Sequence, residues 1–148
     1  FIATWTNIDM RTVKTDQNNA DFGFGQFPGA RFPGTPRNTG SFWSTYEIQD
    51  GDYKGIQFGG GVNLTDRQLE TFIDERGREA FFTPGYITFD LMAGYNRKLG
   101  DVTLSAQLNV TNLLDKQYYT SIQPGLSQTN FVSYGTPRTF MGQISIQY

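Results

Sequence analysis

From residue 139 the chain reads TFMGQISIQY, and neighbouring positions differ in kind. Phe140, Gly142, Ile144, Ile146 and Tyr148 fall on one side of an extended strand, and Thr139, Met141, Gln143, Ser145 and Gln147 on the other. The same period of two runs through DVTLSAQLNVTN, where Val102, Leu104, Ala106, Leu108 and Val110 oppose Thr103, Ser105, Gln107, Asn109 and Thr111. It recurs in YITFDLMAGYN and GIQFGGGVNLT, and with more noise in TGSFWSTYEI and FIATWTNIDM. Six strands are predicted, at about residues 1–14, 37–49, 54–66, 84–98, 101–114 and 134–148.

The connections alternate too. QDGDYK and LGD are short and turn-rich, whereas about 15–36, 66–83 and 115–134 are long, hold much of the Pro and Gly, and are expected to be irregular surface loops. Short turns at one end and long loops at the other match an antiparallel transmembrane β-barrel, and each segment is long enough for the roughly 9–11 residues of a tilted membrane strand. Tyr46, Tyr95, Tyr134 and Tyr148 stand near strand ends, where interfacial aromatics belong. A soluble β-sandwich binding module also alternates apolar with polar and is the alternative. Six strands are too few to close a membrane barrel, which begins at about eight. The expectation is therefore an excerpt from a larger barrel, in keeping with a first residue, Phe1, that is not Met.

Composition narrows the chemistry. Hydrophobic residues are 37% of the 148, with aromatics at 16%, a balance suited to a β-protein or an interfacial surface. The net charge of −2 and the lack of any basic cluster argue against nucleic acid as a partner. With His 0 and Cys 0, the common metal ligands and the usual general base are missing, so no catalytic residue, metal site or cofactor is expected, and an enzyme is the least supported class. The loop carboxylates Asp16, Asp21, Asp66, Asp74 and Glu75 lack calcium-loop spacing, and GFGQFPG lacks the spacing of a dinucleotide fingerprint.

Three stretches carry a resemblance. LNVTNLLDKQYYTS (108–121), YGTPRTFMGQISIQY (134–148) and TPRNTGSFWSTYE (35–47) resemble the C-terminal end of TonB-dependent outer-membrane receptors, particularly receptors for ferric siderophores of the ferrichrome and hydroxamate type. NLTDRQ (63–68) and FTPGYITFDLMAGY (82–95) resemble the neighbouring strands; Asn38 stands where the family commonly has His, and Tyr148 where Phe is usual. The resemblance implies the last six strands of a barrel of about 22, with a plug domain in the lumen. It implies a bacterial outer-membrane protein surrounded by outer-membrane lipid. Energy would come from the TonB–ExbB–ExbD complex acting on the plug, and iron would be held only as the siderophore chelate. Haem, cobalamin or a saccharide are alternative cargoes, because a fold does not fix a substrate.

By the same resemblance, Phe140, Ile144, Ile146 and Tyr148 form the signal read by the barrel-assembly machinery. Tyr118, Tyr119, Gln123 and Phe131 are candidate ligand-binding residues at the root of the last long loop, since aromatic rings pack against chelates and present polar tips. Phe22, Phe24, Phe27, Phe32, Phe81 and Phe82 form a second pool. Adjacent Leu113 and Leu114 break the period, so a rim motif that organises the loop root is expected there. Trp43, on the polar side, is expected to pack on a plug or on a neighbouring strand.

Overall fold

A computed structural model describes residues 1–11, 13–14, 28–29, 31–72, 80–123 and 131–148. Ten strands are present among the described residues: β1 (Ile2–Asn7), β2 (Asn38–Glu47), β3 (Ile56–Thr65), β4 (Gln68–Phe72), β5 (Ala80–Thr83), β6 (Tyr86–Leu99), β7 (Val102–Thr111), β8 (Tyr119–Gln123), β9 (Phe131–Tyr134) and β10 (Thr139–Gln147). Six of them form one sheet in the order β1-β2-β3-β6-β7-β10, antiparallel throughout. The other four form two hairpins, β4-β5 and β8-β9.

The hairpins correct one expectation. Residues 66–83 and 115–134 are not wholly irregular, because Gln68–Phe72 pairs with Ala80–Thr83 and Tyr119–Gln123 with Phe131–Tyr134, which satisfies backbone groups a bare loop would leave to water. Two strand limits also change. β1 stops at Asn7, where pairing with β2 ends at Asn38, and the final strand starts at Thr139. Tyr134 ends β9 against Tyr119 and so does not belong to the final strand.

Register aligns the two faces across the sheet. Phe140, Val110 and Leu91 form one cross-strand row, and Phe42, Val62 and Phe89 another. On the opposite face Gln143 pairs with Gln107, and Ser41 with Asn63 and then Thr88. Because side chains alternate at a period of two, this one register places every apolar row together.

Among the described residues, nothing covers the apolar face. Leu69 is the one buried hydrophobic residue among those described, and it lies in a hairpin, while Ile144 is 75% exposed, Phe140 64% and Phe58 50%. The hairpins lie beyond the strand ends and pack on each other. A soluble sandwich would lay a second sheet about 10 Å above this face.

Large rings on the sheet sit over glycines. Trp43, on the polar face, lies across Gly61 and Gly59 of the neighbouring strand, and a Cβ at Gly61 would run into its ring. On the apolar face, at the β1 edge, Trp5 covers Gly40. Gly55, with φ at 90°, closes the β2–β3 turn against β6, where Asn96 N–H donates to its carbonyl at 2.8 Å and a side chain would meet the Asn96 carbonyl.

Adjacent β10 positions should therefore respond oppositely to one charge. In the full-length protein, Ile144→Lys should lower unfolding free energy in lipid vesicles by roughly 2–4 kcal/mol, whereas Gln143→Lys should change it far less. Urea titration of both variants checks this.

Candidate ligand-facing rim

At the long-loop end of the sheet, the chain leaves β7 through Thr-Asn-Leu-Leu-Asp-Lys, and Asn112 organises this exit. It is 3% exposed with φ at 50°, a left-handed conformation that Asn tolerates better than most residues. Its side-chain amide donates to the carbonyls of Lys116 at 2.9 Å and Thr136 at 3.0 Å, and its Oδ1 accepts the Lys116 N–H at 2.8 Å. The Asn112 N–H donates to Asp90 Oδ1 at 2.8 Å, and Asp90 Oδ2 accepts from Asn63 at 2.8 Å. Asp115 completes the tie by accepting the Arg138 N–H at 2.9 Å. One side chain thus joins the end of β7 to the approach to β10, with Asp90 anchoring it to the polar face of β6. Leu113 and Leu114, which break the period, lie in the turn that Asn112 and Asp115 form, both at positive φ.

The two hairpins meet at Glu70. Its Oε1 accepts from Gln68 Nε2 at 2.7 Å, from the Thr83 hydroxyl, and from the Ile122 N–H at 3.3 Å. Gln68 also donates to the Thr120 carbonyl at 3.1 Å. The loop before β2 joins them, since Gly34 N–H donates to the Leu69 carbonyl at 2.6 Å and Pro36 bridges to Gln68. Segments from all three long connections therefore converge on one patch, with Leu69 and Thr83 buried at its centre.

Beneath this patch a cavity of about 240 Å³ opens on the polar side of the wall. Thr39, Thr65 and Tyr86, which form one cross-strand row, line it from the sheet, and Gln68, Thr83, Tyr119 and Thr120 from the hairpins. Its donors and acceptors are mainly hydroxyls and amides, suited to hydrogen-bonding an uncharged polar ligand group. Asp66 also borders it. The Asn38 amide, donating to Oδ2 at 3.0 Å, holds its carboxyl below the usual carboxylate range against the opposing effect of burial, and the Arg67 N–H and the guanidiniums of Arg31 and Arg67 add to that.

The four candidate ligand-binding residues separate. Tyr118 is packed between the Tyr86 ring, stacked at 4.1 Å, and Gly135. Tyr119 is 37% exposed, lines the cavity and tilts against Tyr134 at 5.2 Å. Phe131, 66% exposed, starts β9 opposite Gln123, of which only the backbone is described. Of the second pool, Phe82 carries the Arg67 guanidinium at 4.8 Å from its ring centre and Phe32 is exposed, while Phe22, Phe24 and Phe27 lie outside the described residues, as do Asp16, Asp21, Asp74 and Glu75. Phe140, Ile144 and Ile146 share the uncovered face of β10, and Tyr148 follows it, fully exposed. Asn112 and Glu70 were not among the sequence candidates. Asn ahead of Leu-Leu-Asp is a turn signal that could have found the first; nothing local marks the second.

Comparison with known proteins adds to this geometry. Residues 2–113 match the family described as TonB dependent receptor-like, beta-barrel. The ferrioxamine B receptor of Salmonella typhimurium (strain SL1344) is 29% identical over 148 residues, covering 97% of this chain and 18% of the receptor. The ferric-pyoverdine 358 receptor of Pseudomonas putida is 32% identical over 106 residues, covering 72% of this chain and 12% of the receptor. Among solved structures, the ferripyoverdine receptor of the outer membrane of Pseudomonas aeruginosa bound to ferripyoverdine is 32% identical with a TM-score of 0.58, over 77% of this chain and 14% of that one. The ferric preacinetobactin receptor from Acinetobacter baumannii, 23% identical, shares the fold at a TM-score of 0.67 over 96% of this chain and 18% of its own. This chain spans less than a fifth of the length of these receptors.

Asn112→Ala should leave the Lys116 and Thr136 carbonyls and the Lys116 N–H without their partner. We expect a loss of roughly 1–3 kcal/mol in stability, with faster protease cleavage within residues 113–118 than in the wild-type protein. Limited proteolysis of the folded full-length protein with mapped cut sites checks it.

Proposed function

This chain belongs to the TonB-dependent receptor β-barrel family, and on that premise we propose that the protein imports a ferric siderophore across the outer membrane of a Gram-negative bacterium. The observation that carries this reading is the pairing of an uncovered apolar face with a polar face capped by three converging loops. The first suits hydrocarbon and the second a lumen through which a polar cargo passes. Relatives named as receptors for ferrioxamine B and ferric pyoverdine supply the cargo class.

In this reading the described residues do three things. The six-stranded sheet forms part of the wall. The hairpins hold the outer rim, where Tyr119 and Phe131 present rings, and Gln123 stands opposite Phe131, for contact with the chelate. The apolar side of β10, with Phe140, Ile144, Ile146 and the following Tyr148, serves as the signal for the barrel-assembly machinery. Iron enters as cargo inside its chelate, so this segment needs no metal ligand of its own. TonB–ExbB–ExbD acts through a plug domain. The chain works as a transport wall and not as an enzyme.

The test is uptake by the full-length receptor in cells lacking their other siderophore receptors. Growth on a ferric hydroxamate as sole iron source, lost when TonB is deleted, supports the reading; growth that persists without TonB contradicts it. Tyr119→Ala should weaken chelate binding roughly 2- to 10-fold, the worth of one aromatic contact, with little change in stability. Tyr118→Ala should instead destabilise the rim, because it removes the ring between Tyr86 and Gly135. Chelate titration by tryptophan fluorescence and thermal unfolding separate the two effects.

A further inference from the structure

The cavity of about 240 Å³ beneath the rim is too small for a whole siderophore chelate, since pockets that enclose a drug-sized molecule run from roughly 300 to 1,000 Å³. It has room for one end of such a molecule, and the setting of its hydrogen-bonding groups says which chemistry that end must have. Gln68 commits its amide N–H groups to Glu70 Oε1 at 2.7 Å and to the Thr120 carbonyl at 3.1 Å, which leaves Gln68 Oε1 as an acceptor. The Thr83 hydroxyl donates its proton to Glu70 and likewise keeps only lone pairs to offer. Both side chains line the cavity from the hairpin side.

The sheet side is set differently. The hydroxyls of Thr39, Thr65 and Tyr86, in one cross-strand row, have no hydrogen-bond partner among the described residues, so each can donate or accept. Charge at the border works against ions of either sign. The Asp66 carboxylate, which accepts from Asn38 at 3.0 Å and from the Arg67 N–H at 2.8 Å, would repel an entering carboxylate, as would the lone pairs of Gln68 and Thr83. The guanidiniums of Arg31 and Arg67 lie within electrostatic reach of that same carboxylate and oppose an ammonium, which would also lose hydration on entry. The group that fits is uncharged and brings an N–H or O–H to the fixed acceptors.

We propose that this cavity is a specificity pocket for an uncharged amide tail of the siderophore, with the amide N–H received by Gln68 and Thr83 and the amide carbonyl by the hydroxyls of Thr39 and Thr65. The pocket thereby selects among chelates that share one iron centre and differ only at the tail, and it disfavours tails that end in an ammonium or a carboxylate. The inference deepens the siderophore import proposed above and rests on it, so the test reads the two separately.

The full-length receptor is titrated with three ferric complexes of the same linear tris-hydroxamate, whose tail ends in a primary ammonium, in the N-acetyl amide, or in the N-succinyl derivative with its carboxylate. Quenching of tryptophan fluorescence gives each Kd. The N-acetyl complex is expected to bind roughly 10-fold more tightly than either charged complex, about the worth of one or two hydrogen bonds. Thr39→Val with Thr65→Val, which keeps side-chain shape and removes both hydroxyls, should cut that preference to below about 3-fold, whereas Thr39→Ser with Thr65→Ser, which keeps the hydroxyls, should retain it. Equal affinity for the three complexes, tighter binding of a charged one, a preference that survives the valine pair, or one lost in the serine pair as well overturns the pocket and leaves siderophore import standing. Failure of all three complexes to bind overturns the pocket together with the ferric-hydroxamate reading.

Discussion

A backbone N–H or C=O left without a partner in hydrocarbon costs several kcal/mol, and this requirement governs the architecture. Six strands meet it by pairing in continuous antiparallel register from β1 to β10. That same register sends Phe42, Val62, Phe89, Leu91, Leu108 and Ile144 to one face. No second layer among the described residues covers them, which suits burial by an apolar surrounding medium. The outer sides of β1 and β10 carry the same requirement and call for strands beyond these six. Large rings laid over Gly40 and Gly61 restore side-chain contact where a glycine would otherwise leave a strand bare.

At the rim the problem is reversed. Around a single buried apolar side chain, Leu69, polar contacts tie the described loop segments together, and two side chains link several of them at once. Asn112 gathers the end of β7, the turn after it and the approach to β10, while Glu70 ties one hairpin to the other. For the proposed recognition of a chelate a fixed rim would matter, since a loop ordered in advance spends less binding energy on ordering itself. Thr39, Thr65 and Tyr86 then carry the strand register directly into the cavity wall, so the geometry of the site is an extension of the geometry of the sheet.

The six sheet strands were legible because each repeats a period of two, with one face strongly apolar. β4 and β8 were not. In QLETF and YTSIQ short segments mix polar and apolar residues on both faces, and what holds them is a carboxylate on one hairpin meeting a backbone N–H on the other, 52 positions away. Tyr118 and Tyr119 look equivalent in sequence, yet Tyr118, just before β8, stacks on Tyr86, while Tyr119, its first residue, lines the cavity. Asn112 is less legible because the break in period falls on the adjacent Leu113 and Leu114, whereas the residue that makes the turn stands just before it.

The central claim is that one face of this sheet meets lipid and the other a polar lumen. The most direct measurement places a nitroxide label singly at each position from Phe140 to Gln147 in the membrane-embedded receptor. It then records collision with oxygen, which concentrates in lipid, and with a water-soluble nickel complex. The account predicts a period of two, with oxygen contact highest at positions 140, 142, 144 and 146 and damped contact at 141, 143, 145 and 147. Uniform exposure to the nickel complex along β10, or oxygen maxima at the odd positions, would contradict it.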